Sequence, residues 1–327
     1  MPELHPFLAI DLAAEADRIV EAMRRSVRGT MKRKGAVLGL SGGIDSSVCA
    51  ALAVRAFGAD KVMGLHMPEA DSADETLELS QLMADSLGID TALEDITPIL
   101  EGAGCYRRRD EAIRSVIPGY GSGWRSKIVL PSVVDSDSFR VFSVVAQPPE
   151  GEPIKVRLPL HAYLEVVAAT NFKQRTRKML EYYWADRLNY AVIGTPNHLE
   201  YDQGFFVKNG DGSADFKPIA HLYKTQVYAL AEELGVPAEI CSRPPTTDTY
   251  SMPQTQEEFY FSLPYDRMDL CLYGVDHGLT PEQLAPELGL QAEQVARVYA
   301  DIAGKRKASR YLHLSPQLVG GAGVGHG

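Results

Sequence analysis

Residues 36–47 read AVLGLSGGIDSS, and this stretch has the side chains for phosphate chemistry. A short apolar run meets Ser41-Gly42-Gly43, where missing side chains let backbone N–H groups close on an anion. Small and apolar residues at helical spacing follow at once, so the positive end of a helix points at the same place. Gly39, Leu40, Ser41, Gly42, Gly43, Ile44, Asp45 and Ser46 together read as a phosphate cradle. It is not the GxxxxGK[ST] type, because the loop contains no lysine. Asp45 would repel a polyphosphate unless a cation such as Mg2+ lay between them. The alternative is a Gly-Gly turn in which Asp45 and Ser46 merely cap the helix.

Further along, NFKQRTR (171–177) places Arg175 near the start of a helix, and GTPNHLE (194–200) places Thr195 at the end of an apolar strand. Strand ends of that kind are where open α/β sheets bind ligands. Glu200 follows five residues later. GFFVKNGDGSAD is a glycine-dense loop with Lys208 and Asp215 towards its ends, Lys224 opens the next helix, and RPPTTD carries Thr246 and Asp248. His198 reads as structural or solvated, and the run Arg107-Arg108-Arg109 as a solvated basic face.

The elements that must hold these groups alternate. A helix over 8–28 precedes the strand AVLGL (36–40); a helix ending at Gly58, the strand KVMGLHM, a helix closed by Gly88 and the strand TALEDI follow. Such alternation predicts βαβ units in a mostly parallel, doubly wound sheet with ligands at the C-terminal strand edge. The rhythm breaks over about 101–165. There, a glycine-rich basic stretch leads to two β-runs joined by PPEGEP, which reads as a hairpin-like insertion. Helix returns over about 162–187, then the strand AVIGT (191–195), the helix KTQVYALAEELG and a helical C-terminal part. The expected organisation is one domain over 1–319, with 320–327 a disordered tail.

Composition narrows the options. The chain has 327 residues, 45% hydrophobic and 23% charged, the balance of a globular protein with a substantial core. Its 33 Lys and Arg against 43 Asp and Glu leave a charge of −10, a poor match for nucleic acid. No run reaches the ~18 consecutive apolar residues of a membrane span. The N-terminus lacks a basic n-region, and four scattered cysteines form neither a disulfide framework nor a zinc motif, so the expected location is the cytoplasm.

SGGIDSS resembles the signature loop of the N-type ATP pyrophosphatases, and residues 171–248 resemble the NAD synthetase family nearly end to end. The resemblance implies an adenine nucleotide alpha hydrolase-like fold. It also implies ATP-dependent amidation of deamido-NAD to NAD by ammonia, through an adenylated nicotinate carboxylate with release of AMP and pyrophosphate. It makes Thr195, Lys224 and Thr246 ATP contacts beside the loop, and Asp45 and Glu200 a Mg2+ pair. Arg175, Lys208 and Asp215 become deamido-NAD contacts, and Asp248 a residue that steers ammonia. The family's C-terminal His-Lys pair is matched by Gly304-Lys305, which keeps only Lys305. Homodimerisation is implied as well. About 35 residues precede the first strand, with no cysteine among them; the expected nitrogen source is free ammonia or a separate glutaminase. The alternative is a related amide ligase of the same superfamily acting on a different carboxylate.

Overall fold

Strand β1 (Ala36–Gly39) has two covered faces. Ala36 and Leu38 enter one core and Val37 another, the period-two alternation of a strand. The structure is a computed structural model that describes residues 4–129, 142–243, 250–252, 254, 260–261 and 263–319. Parallel to β1 runs β2 (Val62–His66), with Ala36 opposite Val62, and beyond it β3 (Asp90–Leu93). On the other side of β1 lies β7 (Ala191–Val192), also parallel, giving the order β3-β2-β1-β7. Since β1 has one sequence neighbour on one side and a distant strand on the other, the chain reverses direction across the sheet here. That is a topological switch point, where a crevice opens at the strand C-termini.

One face is covered by α1 (Leu12–Arg24), α2 (Ile44–Phe57), α3 (Asp74–Leu87) and α8 (Lys224–Glu233). Asp11 caps α1 through Ala14 N–H at 3.0 Å, and Gly88 ends α3 at φ 62°. α2 is buried almost all round, so its sequence shows small apolar residues rather than an amphipathic stripe. The other face carries α4 (Thr97–Gly102), α5 (Cys105–Arg114) and the 29-residue α6 (Leu160–Leu188). A C-terminal helical layer contains α10 (Tyr265–His277), α11 (Pro281–Leu288) and α12 (Ala292–His313) around its own apolar cluster. Among the described residues no helix is long and apolar enough to cross a membrane.

The segment expected as a hairpin is richer than that. β4 (Arg125–Val129), β5 (Ser143–Gln147) and β6 (Ile154–Arg157) form a three-stranded antiparallel sheet. One face of this sheet is covered by helices: Ile128, Val144 and Ala146 pack with Ile113, Leu158, Ala162 and Val166. Within the stretch read as glycine-rich and basic, Cys105–Arg114 is helical. The arginines obscured its inward side, where Cys105, Arg109, Ala112 and Ile113 are buried. The AVIGT strand pairs with β1 only over Ala191 and Val192, Ile193 adding a bridge to Phe216. The tail at 320–327 lies outside the described residues.

Candidate active site

The loop after β1 closes in a way that only glycine permits. Gly42 sits at φ 66°, and a Cβ there would stand 2.8 Å from the Thr76 carbonyl and 2.9 Å from Leu79 Cβ. Gly43 is the N-cap of α2, and no side chain caps it. Instead, Ser46 and Ser47 donate back to the Gly43 carbonyl at 3.0 and 2.9 Å, and Ser46 Oγ accepts the Ser41 N–H at 3.3 Å. The capping alternative for Asp45 and Ser46 is therefore not what the chain does. The first-turn N–H groups of α2 face a cavity of about 600 Å3 lined by Gly39, Leu40, Ser41, Gly43, Ile44, Asp45 and Ser46.

Asp45 turns instead to Lys224, the first residue of α8, in a buried ion pair. Its other oxygen accepts from Asn197 Nδ2 at 3.1 Å. Asn197 also heads α7 (His198–Gln203) as a capping box: its Oδ1 accepts the Glu200 N–H at 3.1 Å, and Glu200 Oε2 accepts the Asn197 N–H at 3.2 Å. One amide thus fixes both carboxylates relative to each other. Burial and the neighbouring Asp45 push the Glu200 carboxyl up to about 8, against the pull of Lys224 and the Asn197 N–H. Burial alone would lower Lys224, but Asp45 and Glu200 outweigh it and hold the ammonium charged. Thr195, Glu200 and Lys224 line the same cavity as the loop.

Of the other expected residues, four stand away from this cluster. Arg175 is exposed midway along α6 rather than near a helix start, because the helix already begins at Leu160, and its Nε donates to the Lys208 carbonyl at 3.3 Å. Lys208 donates to the carbonyls of Tyr311 and Leu314 at 2.9 and 3.1 Å, over the Tyr311 ring. Asp215 accepts the Val192 N–H at 2.8 Å, tying its loop to the sheet. Lys305 is buried between the Tyr260 carbonyl at 2.6 Å and Asp301 at 2.9 Å. Thr246 and Asp248 lie outside the described residues.

Several cavity groups escaped the sequence reading. Asn197 is one, although Asn-x-x-Glu is the spacing of a capping box. Asn171, Gln174, Lys178 and Glu181 line the cavity at successive turns of α6, a polar stripe on one face. Lys178 binds Glu181 at 2.6 Å, and burial raises the Glu181 carboxyl above its ordinary value despite that partner. Behind the same wall Lys173, 1% exposed, donates to Glu69 at 2.8 Å and Asp71 at 2.7 Å. Arg109 also pairs with Asp71 and is buried, which corrects its reading as part of a solvated face; Arg107 is exposed beside Glu111. His198 is structural, its Nε2 3.2 Å from Asp276. The cysteines are free, three of them buried.

The family model of NAD synthase matches residues 15–113 and 157–309. A protein of Rhizobium meliloti (strain 1021), named NH(3)-dependent NAD(+) synthetase, is 62% identical over 312 residues, covering 95% of this chain and 93% of that one. A Thermotoga maritima protein of the same name is 34% identical over 266 residues, 81% of this chain and 87% of its own. Among solved structures, the NH3-dependent NAD synthetase of Campylobacter jejuni superposes with a TM-score of 0.63 at 22% identity, over 95% of this chain and all of that one; this likeness speaks to the fold. The sheet, the cradle and these matches agree, and the chain belongs to the NAD synthase family.

Proposed function

We propose that this chain is an ammonia-dependent NAD synthetase that amidates deamido-NAD at the expense of ATP. The observation that carries the reading is the Asp45–Asn197–Glu200–Lys224 cluster at the mouth of the phosphate cradle, in a chain that is 62% identical over 312 residues to a relative of that name. In the first step an oxygen of the nicotinate carboxylate bonds to the α-phosphorus of ATP, and the bond to the bridging oxygen breaks with release of pyrophosphate. The attacking carboxylate is already ionised near pH 7, so no general base is required. What the step needs is alignment and neutralisation of charge on the phosphates. The backbone of Ser41–Ser46 and the open N-terminus of α2 receive the phosphates. Lys224, aimed by Asp45, stabilises charge growing on the α-phosphate, and Thr195 contacts the nucleotide. In the second step ammonia attacks the acyl carbon, AMP leaves, and the nitrogen sheds a proton to give the amide of NAD.

Asp45 and Glu200 fit a Mg2+ ion. Burial and the charge of Asp45 hold Glu200 protonated near neutral pH, and a divalent cation beside such a pair would offset both costs. Among the described residues no third carboxylate, histidine or cysteine joins them, which suits Mg2+, an ion that draws its remaining ligands from phosphate and water. When bound, the ion neutralises phosphate charge and orients the α-phosphate.

Arg175, Lys208, Asp215 and Lys305 serve the acceptor, Thr246 the ATP and Asp248 the ammonia. A homodimer explains why the acceptor residues stand outside the cavity of one subunit: they complete it across an interface. The exposed side of α6 supports this, since Leu160, Leu164, Met179 and Tyr183 face outward there with Arg175. The four free cysteines suit a reducing compartment, and we place the enzyme in the cytoplasm. No macromolecular partner beyond a second copy, and at most a separate glutaminase, is needed. The test is turnover by the purified chain with ATP, Mg2+ and deamido-NAD. NAD should form with ammonium and not with glutamine. Equal rates with both donors, or pyrophosphate release only with some other acid, would overturn the reading.

A further inference from the structure

The cavity does not end at the phosphate cradle. It continues along α6 to Tyr163, near the N-terminus of that helix, where Phe142 and Tyr250 complete an aromatic wall. Phe142 and Tyr163 stack with ring centroids 4.0 Å apart and planes 15° from parallel. Tyr250 is 5% exposed and packs in the same apolar cluster. The wall is firmly built: the Phe142 carbonyl accepts the Leu158 N–H at 2.9 Å, fixing the start of β5 against the end of β6.

Two features distinguish it. First, Phe142 belongs to residues 114–156, the stretch between the two matches to the family model. Second, it lies far from the cradle. Lys178 and Tyr163 both line the cavity, and at 1.5 Å per helical residue they are roughly 22 Å apart along α6. Lys178 pairs with Glu181, and Glu181 stands beside Gly39 at the start of the cradle. On the synthetase reading the phosphates of ATP take the cradle end, and His66, Thr76 and Ser80, which line the cavity as well, offer a wall for its base. The aromatic end is left for a second nucleotide.

We infer that Phe142, Tyr163 and Tyr250 form a stacking subsite for a planar heteroaromatic ring of the dinucleotide acceptor, supplied by the small antiparallel sheet. This rests on the synthetase reading given above. Phe142 and Tyr163 are half-buried rings that line the cavity, and a pyridine or purine ring can stack on such a wall without requiring any particular hydrogen-bond pattern. The lining between wall and cradle is polar, with Thr170, Asn171 and Gln174 along α6, the chemistry suited to ribose and phosphate.

The experiment compares wild type with Phe142→Ala, Phe142→Leu, Phe142→Tyr and Tyr163→Leu at saturating ammonium, each checked for an unchanged melting transition. Loss of one stacked ring should raise the KM for deamido-NAD about tenfold. The KM for ATP and kcat should stay within about twofold, and Phe142→Tyr should recover wild-type behaviour. Phe142→Leu keeps an apolar side chain, so it tests the ring itself if the alanine variant does not fold. Nicotinate mononucleotide as a competing ligand identifies the ring: an inhibition constant weakened in parallel assigns the pyridine, an unchanged one the purine. An unchanged acceptor KM in folded Phe142→Leu and Tyr163→Leu, or a rise in the KM for ATP instead, would overturn the subsite. Wild type making no NAD at all would overturn the synthetase reading itself, a different result from wild-type turnover with indifferent variants.

Discussion

Glu200→Gln separates the electrostatics of the site from its packing. Glutamine keeps the shape of the side chain and the oxygen that accepts the Asn197 N–H at 3.2 Å, so the capping box of α7 survives. What disappears is a charge. In the folded chain the Glu200 carboxyl holds its proton up to about 8, against 4.5 ordinarily, because it is buried and faces Asp45. The unfolded carboxyl releases its proton near 4.5. Between these values the folded state therefore binds the extra proton, and stability falls as pH rises. The contribution is intact below about pH 4.5 and lost by about pH 8. At ~1.4 kcal/mol per pH unit the loss across this window is roughly 5 kcal/mol, or about 10 °C in Tm at ~2 °C per kcal/mol for a chain of this size. Without metal or nucleotide, variant and wild type should melt together near pH 5. At pH 8.5 the variant should melt several degrees higher. Taking the difference between the two proteins cancels the titration of every other group they share. Adding Mg2+ and ATP should raise the wild-type transition at pH 8.5 far more than that of the variant, which should have almost no turnover. A Tm difference that is the same at both pH values, or a variant less stable at pH 8.5, would refute the account of a strained carboxylate pair.

Asp45→Asn has the opposite signature, because it removes the counter-charge of Lys224, a side chain 1% exposed. Turnover should vanish and the chain should lose about 3–5 kcal/mol of stability, read as a lower denaturant midpoint, so this variant does not leave the fold untouched. Sedimentation should give twice the monomer mass for wild type and the monomer mass for Leu164→Glu, a charge placed on the exposed side of α6; a wild-type monomer with full activity would dismiss the shared site.

What the sequence made legible follows from how local each requirement is. The phosphate cradle could be read directly because its backbone dictates residue types: Gly42 needs φ 66° and has no room for a Cβ, and the strand before it and the helix after it announce themselves within a dozen residues. Lys224 could be placed only by resemblance, since nothing in its own helix says that its amine meets Asp45. The buried charges were harder still. Arg109 and Lys173 look like surface residues in a basic stretch. They are interior because Glu69 and Asp71, on the loop after β2, come to meet them. β4 pairs antiparallel to β5, a partnership that a reading of two β-runs joined by PPEGEP left out. Arg175, Lys208, Asp215 and Lys305, matched by resemblance, show the limit from the other side, because their types are retained while the fold places them apart from the cradle.

The sheet order explains how the site tolerates an added unit. Asp45 and Glu200 are distant in sequence, but each follows directly from a strand end, and β1 and β7 are neighbours with Ala36 opposite Ala191. The carboxylate pair is therefore set by one parallel ladder and by Asn197, which spans the two loops. Everything between β3 and β7 is crossover connection, and its length does not enter that geometry. The antiparallel sheet sits within this connection and, among the described residues, reaches the cavity through Phe142, next to the start of β5. Material inserted there can reshape the far end of the cavity while Asp45, Glu200 and Lys224 keep their places. By the same logic, change in this segment should act on recognition of the acceptor and leave activation of ATP as it is.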